Sequence, residues 1–95
     1  MADARERRIT AVREGLVAHN VDGLLVSSLS NVRYLSGFSG SNAMLFASQT
    51  ELWLLTDFRY QSQASDEAGD VCRIRVEPVS LWTWLWAILR ESAGI

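Results

Sequence analysis

The 95 residues are enough for one domain around one hydrophobic core and too few for a second, and their formal net charge is −2. All nine basic residues are arginines scattered along the chain, which argues against the dense cationic face that nucleic acid requires. The chain has one cysteine, no apolar run of the roughly 18–20 residues that span a bilayer, and a charged start in place of a secretory signal. These features predict a soluble, cytoplasmic protein with no membrane or nucleic-acid partner.

The first half of the chain predicts a helix, a buried strand and a helical turn. Apolar Ile9, Val12 and Leu16 recur at helical spacing among charged residues, which is typical of an amphipathic helix. The run "GLLVSS" is short and apolar, as in a strand buried within a sheet. Ser30 is placed to cap a brief helical turn that Gly37 ends.

The second half predicts a hairpin, a helix, a strand and a final helix. "NAMLFAS" and "QTELWLLT" are two short strands joined by a polar turn near 48–50. Thr56 or Asp57 is a candidate N-cap for a helix that Gly69 ends, and "CRIRVEP" alternates like a strand near a sheet edge with one wet face. Ser80 opens the last helix. This order predicts an α/β fold with one mixed sheet, its first and last strands parallel.

The Ser/Gly cluster "GFSGSN" does not match the motifs of known catalytic loops. It lacks the G-x-S-x-G spacing of a nucleophile elbow and the lysine of a P-loop, and the single histidine lies far away in sequence. Gly37 and Gly40 are therefore interpreted as sites of positive φ or of close backbone approach. One His and one Cys fall short of the about three ligands of a catalytic zinc site. The cluster Asp66, Glu67 and Asp70 is interpreted as a solvated helix end.

Two further stretches concentrate unusual side chains. "WTWLW" alternates Trp82, Trp84 and Trp86, which on a helix spread around most of the circumference. Either part of this helix meets another domain or subunit, or the tryptophans fill a small core. "TDFRY" follows a buried strand, at the sheet rim where α/β folds place binding residues. An Asp57 cap paired with Arg59 is the favoured interpretation there.

The stretch "NVRYLSGFSGSNAMLF" followed by "WLLTDFRYQSQA" resembles the N-terminal domain of the Xaa-Pro peptidases, the family of aminopeptidase P and prolidase, which includes creatinase. The resemblance implies that residues 1–95 form a three-layer, ribonuclease-H-like α/β domain with a mixed sheet flanked by helices. It also implies a "pita-bread" catalytic domain that this chain lacks. The N-terminal domain itself is expected to stop before its last strand and helix. An exposed sheet edge and the tryptophan helix would then favour self-association or strand exchange.

The same resemblance implies where the chemistry lies. In the family, two aspartates, a histidine and two glutamates of the catalytic domain hold two divalent metals, manganese, cobalt or zinc, and activate a bridging water. No position here matches that set, so no catalytic residue and no metal ligand is expected in this chain, which alone is expected to be inactive although its parent is a hydrolase.

The resemblance also implies roles for residues of the two loops. Arg33, Tyr34 and Phe38 are expected to wall a cleft for proline-containing peptides. Asn31, with Asp57 and Arg59, is expected to hold the two loops together. Residues expected to shape these loops also include Gly37, Gly40 and Tyr60. The expected partners are the catalytic domain and further copies of the chain, joined through loops and the tryptophan helix.

Two alternatives to a peptidase domain remain open. A peptidase-like domain without catalysis occurs in a histone chaperone subunit, so the fold can serve recognition alone. The absent catalytic domain could instead hydrolyse creatine, and the sequence does not separate dipeptidase from aminopeptidase.

Overall fold

The computed structural model describes residues 4–77 together with 82–83, 86–87 and 90. Residues 4–77 form three α-helices and four strands, and the strands make up one sheet. The helices are α1 (Ala4–Ala18), α2 (Leu29–Ser36) and α3 (Gln61–Ala68), and the strands are β1 (Gly23–Val26), β2 (Ala43–Ser48), β3 (Leu52–Thr56) and β4 (Arg73–Val76). A single 3₁₀ turn, Phe58–Tyr60, leads from β3 into α3.

The strands of the described sheet lie in the order β1-β2-β3-β4. β1, β2 and β3 are successively antiparallel, and β4 pairs with β3 in parallel through the crossover that contains α3. The predicted hairpin is β2–β3, with Leu45 opposite Leu54. β1 and β4 run in the same direction at opposite edges, so the α/β fold class with a mixed sheet flanked by helices is confirmed.

One face of the sheet and the described helices enclose the larger hydrophobic cluster. Leu45 and Leu54, from the two central strands, are fully buried there. All three helices contribute to it. Its buried members are Ile9, Val26, Val32, Leu35, Phe38, Ala43, Leu45, Ala47, Leu52, Leu54, Ala64, Ala68 and Cys72. Removal of this apolar surface from water is the main favourable term in folding.

The other face of the sheet carries a smaller cluster made of alternate residues of the same strands. Met44, Phe46 and Leu55 are buried, and Leu25 and Trp53 pack against them. The alternation follows from the two-residue period of a strand, which sends β2 side chains to both faces. The central strands are therefore apolar on both faces, except for Ser48 and Thr56 at their ends.

The last helix, predicted from Ser80 onward, lies largely outside the described residues, and so does Trp84. Positions 82–83, 86–87 and 90 are helical. Trp82 and Trp86, one turn apart, are 62% and 63% exposed. Within the described part of the chain, no helix has the length and apolar character needed to cross a bilayer.

Of the two predicted helix caps, the one by Ser30 is wrong and the one by Asp57 is confirmed. Ser28, in extended conformation, is the N-cap of α2, and Ser30 lies inside that helix because α2 starts earlier than the apolar pattern indicates. Asp57 does act as a cap, but of the 3₁₀ turn, where its carboxylate accepts the backbone N–H of Arg59. Tyr60 then precedes α3.

Candidate functional site

The candidate site lies along the side of the sheet where the strands β1, β3 and β4 have their carboxyl ends; this side is called the carboxyl edge. Because β2 is antiparallel to its neighbours, its first residue lies at this same edge, with Ala43 opposite Thr56. The connection from α2 to β2 and the turn after β3 therefore meet. We call these two segments, residues 37–42 and 57–60, the edge loops. In α/β folds this carboxyl edge is where binding residues collect.

Asp57 joins the two edge loops. Its carboxylate accepts hydrogen bonds from Nε and Nη2 of Arg59, both at 2.9 Å, and from Nδ2 of Asn42 at 2.7 Å. The Arg59 side chain first, and then the Asn42 amide, hold the pKa of Asp57 well below its usual range, since both stabilise the charged form. Thr56 reinforces the junction by donating its hydroxyl to the backbone carbonyl of Asn42 at 2.6 Å.

A second contact between the edge loops joins Tyr60 to Ser41. The Tyr60 hydroxyl and Ser41 Oγ are hydrogen-bonded, and this bond is the main cause of a lowered pKa for Tyr60. The Tyr60 ring also packs edge-on against Phe38, with ring centroids 5.7 Å apart and an interplanar angle of 87°. Tyr60 thus connects the edge loops to the core.

Glu67 of α3 holds the middle of the first edge loop. It accepts the backbone N–H of Ser39 at 2.9 Å, the Ser39 hydroxyl, and the amide of Gln63 at 3.1 Å. The pKa of Glu67 is lowered, mainly by the Ser39 backbone N–H. The interpretation of this acidic cluster as a solvated helix end is therefore wrong for Glu67, whereas Asp66 and Asp70 are exposed as expected, and Asp70 pairs with Arg5 of α1.

Two glycines permit the path of the first edge loop. Gly37 follows α2 with φ of 85°, a conformation that a side chain disfavours. Gly40 lies so close to the aromatic rings that an added Cβ would be 2.3 Å from Phe38 Cζ and 2.9 Å from Tyr60 Cδ1. The serine–glycine composition of the loop follows from these two constraints.

The three residues predicted to wall a cleft occupy different environments. Tyr34 is 54% exposed, and the guanidinium of Arg8 stacks 3.9 Å from its ring centre. Arg33, on the same helix, is exposed. Phe38 is only 1% exposed because its ring fills the core beneath the loop, so the prediction that it touches substrate is wrong.

Asn31 also lies elsewhere than predicted. It faces a groove of about 460 Å³ between β1 and α2, where Leu24 and Tyr34 are also lining residues. The amide that bridges to Asp57 belongs to Asn42 instead. The sequence carries a signal for this pair, since Asn42 directly precedes one hairpin strand and Asp57 directly follows the other.

The described residues offer no fit for the metal pair that the resemblance places in a catalytic domain. Among residues 4–77 and the described helical positions, no group of three or more His, Cys, Asp or Glu side chains is arranged to hold a metal ion. Cys72 is buried, and burial raises the pKa of its thiol to about 12, so it stays protonated at neutral pH.

Comparison with known proteins identifies the family. The chain matches the model of the Creatinase/Prolidase N-terminal domain over residues 8–94 and belongs to that family. A curated relative, the uncharacterized peptidase YqhT of Bacillus subtilis, is 46% identical over 44 residues, which are 46% of this chain and 12% of that protein. The chain therefore spans a small part of that relative.

Solved structures show the same fold. The N-terminal domain of the cytoplasmic peptidase PepQ from Mycobacterium tuberculosis is 35% identical, with a TM-score of 0.76 over 98% of this chain and 68% of its own. An Xaa-Pro aminopeptidase from Streptococcus pyogenes is 27% identical, with a TM-score of 0.85 over 100% of this chain and 71% of its own. An Xaa-Pro dipeptidase from Bacillus anthracis shares the fold at 24% identity and a TM-score of 0.85, over 94% of this chain and 25% of its own.

The lowered pKa of Asp57 has a testable consequence. The folded state favours the ionised carboxylate, so this stabilisation is complete above the unfolded-state pKa of about 3.9 and is lost as the pH falls through the lower folded-state value. We predict that Asp57→Asn lowers the free energy of unfolding at neutral pH and that the deficit shrinks steadily below about pH 4.

Urea titrations at about pH 7, 4 and 2.5 measure this deficit. Asp66→Asn, which changes an exposed carboxylate of the same helical region, is the matched control and is expected to have little effect. A deficit for Asp57→Asn that is constant across the three pH values would contradict the assignment.

Proposed function

We propose that this chain is the non-catalytic N-terminal domain of a metal-dependent proline peptidase that cleaves the Xaa-Pro bond, as an aminopeptidase or a dipeptidase. The observation that carries the proposal is the family match over residues 8–94, together with neighbours that are named as Xaa-Pro peptidases or their N-terminal domains. A cytoplasmic location is part of the proposal, because one such relative is named a cytoplasmic peptidase.

In this proposal, the catalytic domain supplies the chemistry. Two divalent metals, manganese, cobalt or zinc, would be held there and would activate water for attack on the peptide bond. The described residues of this chain would bind no metal. Their contribution is a rigid surface that helps wall the substrate cleft and joins subunits of the enzyme.

The wall itself is assigned to Arg33 and Tyr34 on α2. Tyr34 presents an exposed ring that Arg8 holds in place by stacking and by donating a hydrogen bond to the Tyr34 carbonyl at 2.9 Å. A ring held in this way loses little freedom when a proline packs against it, which favours binding. Arg33 adds a cation that suits a peptide carbonyl or carboxylate.

The proposal is tested by peptide hydrolysis. We expect the 95-residue chain alone to leave an Xaa-Pro dipeptide and an Xaa-Pro-Xaa tripeptide intact with added manganese, and the chain extended through the reading frame that follows it to cleave at least one of them. The preferred length then names the enzyme. Turnover by the chain alone would contradict the proposal, and no turnover by either would favour a binding module.

The wall assignment is tested in the extended, active protein. Tyr34→Ala is expected to raise KM about three- to ten-fold with a smaller change in kcat, because the lost aromatic contact is made equally in the ground and transition states. Val17→Ala, at an apolar α1 position that is 68% exposed, is the matched control and should leave both constants unchanged. Equal KM values for Tyr34→Ala and the parent would contradict the wall assignment.

A further inference from the structure

Asp22 separates the end of α1 from the start of β1. The helix closes where the backbone N–H of Val21 donates to the Leu16 carbonyl at 3.0 Å, with Asn20 in the left-handed conformation at φ of 54°. β1 then begins at Gly23. Asp22 belongs to neither element, and it forms a bend that is exposed to solvent.

The carboxylate of Asp22 is not held by its surroundings. In the described part of the chain, it takes part in no hydrogen bond and no ion pair. By contrast, Asp57, Glu67 and Asp70 are each held by N–H donors of other residues. Rotation of the Asp22 side chain toward its own backbone therefore breaks no contact among the described residues.

The residue that follows, Gly23, has two properties that bear on this carboxylate. It has no side chain, so its backbone nitrogen is open to approach by the carboxyl group before it. It is also required by the packing, since an added Cβ would lie 2.8 Å from Cζ and 2.9 Å from Cε2 of Phe46. Phe46 is buried in the smaller cluster. The aromatic ring thus keeps a glycine directly after an exposed aspartate.

An exposed aspartate before a glycine can react with its own main chain. The nitrogen of Gly23 attacks Cγ of Asp22, a C–N bond forms, and the carboxyl hydroxyl leaves as water with the proton of that nitrogen. The resulting succinimide ring then takes up one water. Opening at the side-chain carbonyl restores aspartate, whereas opening at the main-chain carbonyl leaves isoaspartate, in which the chain runs through the side chain. Water is the sole co-reactant.

We propose that Asp22 is a site of spontaneous isoaspartate formation in the folded protein, and that the modification weakens the pairing of β1 with β2. Isoaspartate adds a methylene group to the main chain, which lengthens the chain by about 1.5 Å directly before β1. Gly23 lies against the Phe46 ring and opposite Ser48, so it has no room to shift toward the ring in compensation. The first pair of the strand is therefore lost. This proposal does not depend on the peptide chemistry proposed above.

The position of β1 gives the modification an effect beyond the turn. Val26 is buried in the larger cluster, and Leu24, Leu25 and Val26 line the groove of about 460 Å³ beside Tyr34. Displacement of the start of β1 changes that wall of the groove. Aged protein is therefore expected to contain a second form of equal mass, with a less stable sheet and an altered groove.

Peptide mapping after storage for several weeks at neutral pH tests the site. Isoaspartate gives a peptide of unchanged mass and altered retention time that resists a protease cleaving before aspartate. We expect this product at Asp22 and none at Asp66 or Asp70, which are exposed but are followed by residues with side chains. Asp22→Glu, which keeps the charge but needs a larger and more slowly formed ring, is the matched control and should give none.

The same storage in urea measures how far the folded turn protects the site. We expect the folded chain to convert at a rate of the same order as the unfolded chain, because no contact of the Asp22 side chain has to break. Conversion in urea with none in the folded chain would show that the turn blocks the reaction and would overturn the proposal. The absence of conversion in both conditions would overturn it as well.

Urea unfolding of the separated forms tests the effect on β1. Chromatography divides one aged sample into its converted and unconverted chains, which share the same history. The converted form is expected to unfold at a lower urea midpoint, and the unconverted form should match fresh protein. Equal midpoints for the two forms would overturn the weakening of β1. Peptide hydrolysis by the extended protein enters none of these measurements, so the two proposals fail separately.

Discussion

The carboxylate of Asp57 joins two stretches of chain that are distant in sequence, and the form of the candidate site depends on it. It accepts the Asn42 amide from one edge loop and the Arg59 guanidinium and backbone N–H from the other. Without an ionised acceptor at this point, four N–H donors would lose their shared partner at once. The strands bring the two loops to one edge, and Asp57 turns that proximity into a fixed geometry.

The packing beneath the site explains why the loops are rigid. The Phe38 side chain is buried in the core. Tyr60 packs against its ring and is hydrogen-bonded to Ser41 through its hydroxyl. Gly40 fits only because it has no side chain. Glu67 then holds Ser39 from α3. The edge loops are thus held from the sheet, from the core and from a helix, which suits a surface that has to keep its shape against another domain.

Much of the fold could be predicted because the spacing of apolar residues along the sequence follows from which side chains are buried. The apolar run of β1, the hairpin β2–β3 and the alternating β4 are each visible in the sequence, and their order fixes a mixed sheet. Helix starts were less accurate. Ser28 and Ser30 are both suitable caps by composition, and only the backbone conformation selects Ser28.

The contacts within the site were harder to predict because they depend on register. A sequence shows that Asn31, Asn42 and Asp57 are polar, but the hairpin pairing of Ala43 with Thr56 decides which amide reaches the carboxylate. The burial of Phe38 could not be predicted for a related reason. An aromatic side chain beside glycines can lie on the surface or in the core, and tertiary packing decides between the two.

The role of Asp57 is tested most directly by a double-mutant cycle on the link between the edge loops. The free energies of unfolding of Asn42→Ala, Asp57→Ala and the double variant are compared with that of the parent at neutral pH. The double variant is expected to be destabilised by clearly less than the sum of the single variants, because both changes remove the same contact. Additive effects would show that Asn42 and Asp57 act independently and would contradict the claim that Asp57 holds the two loops together.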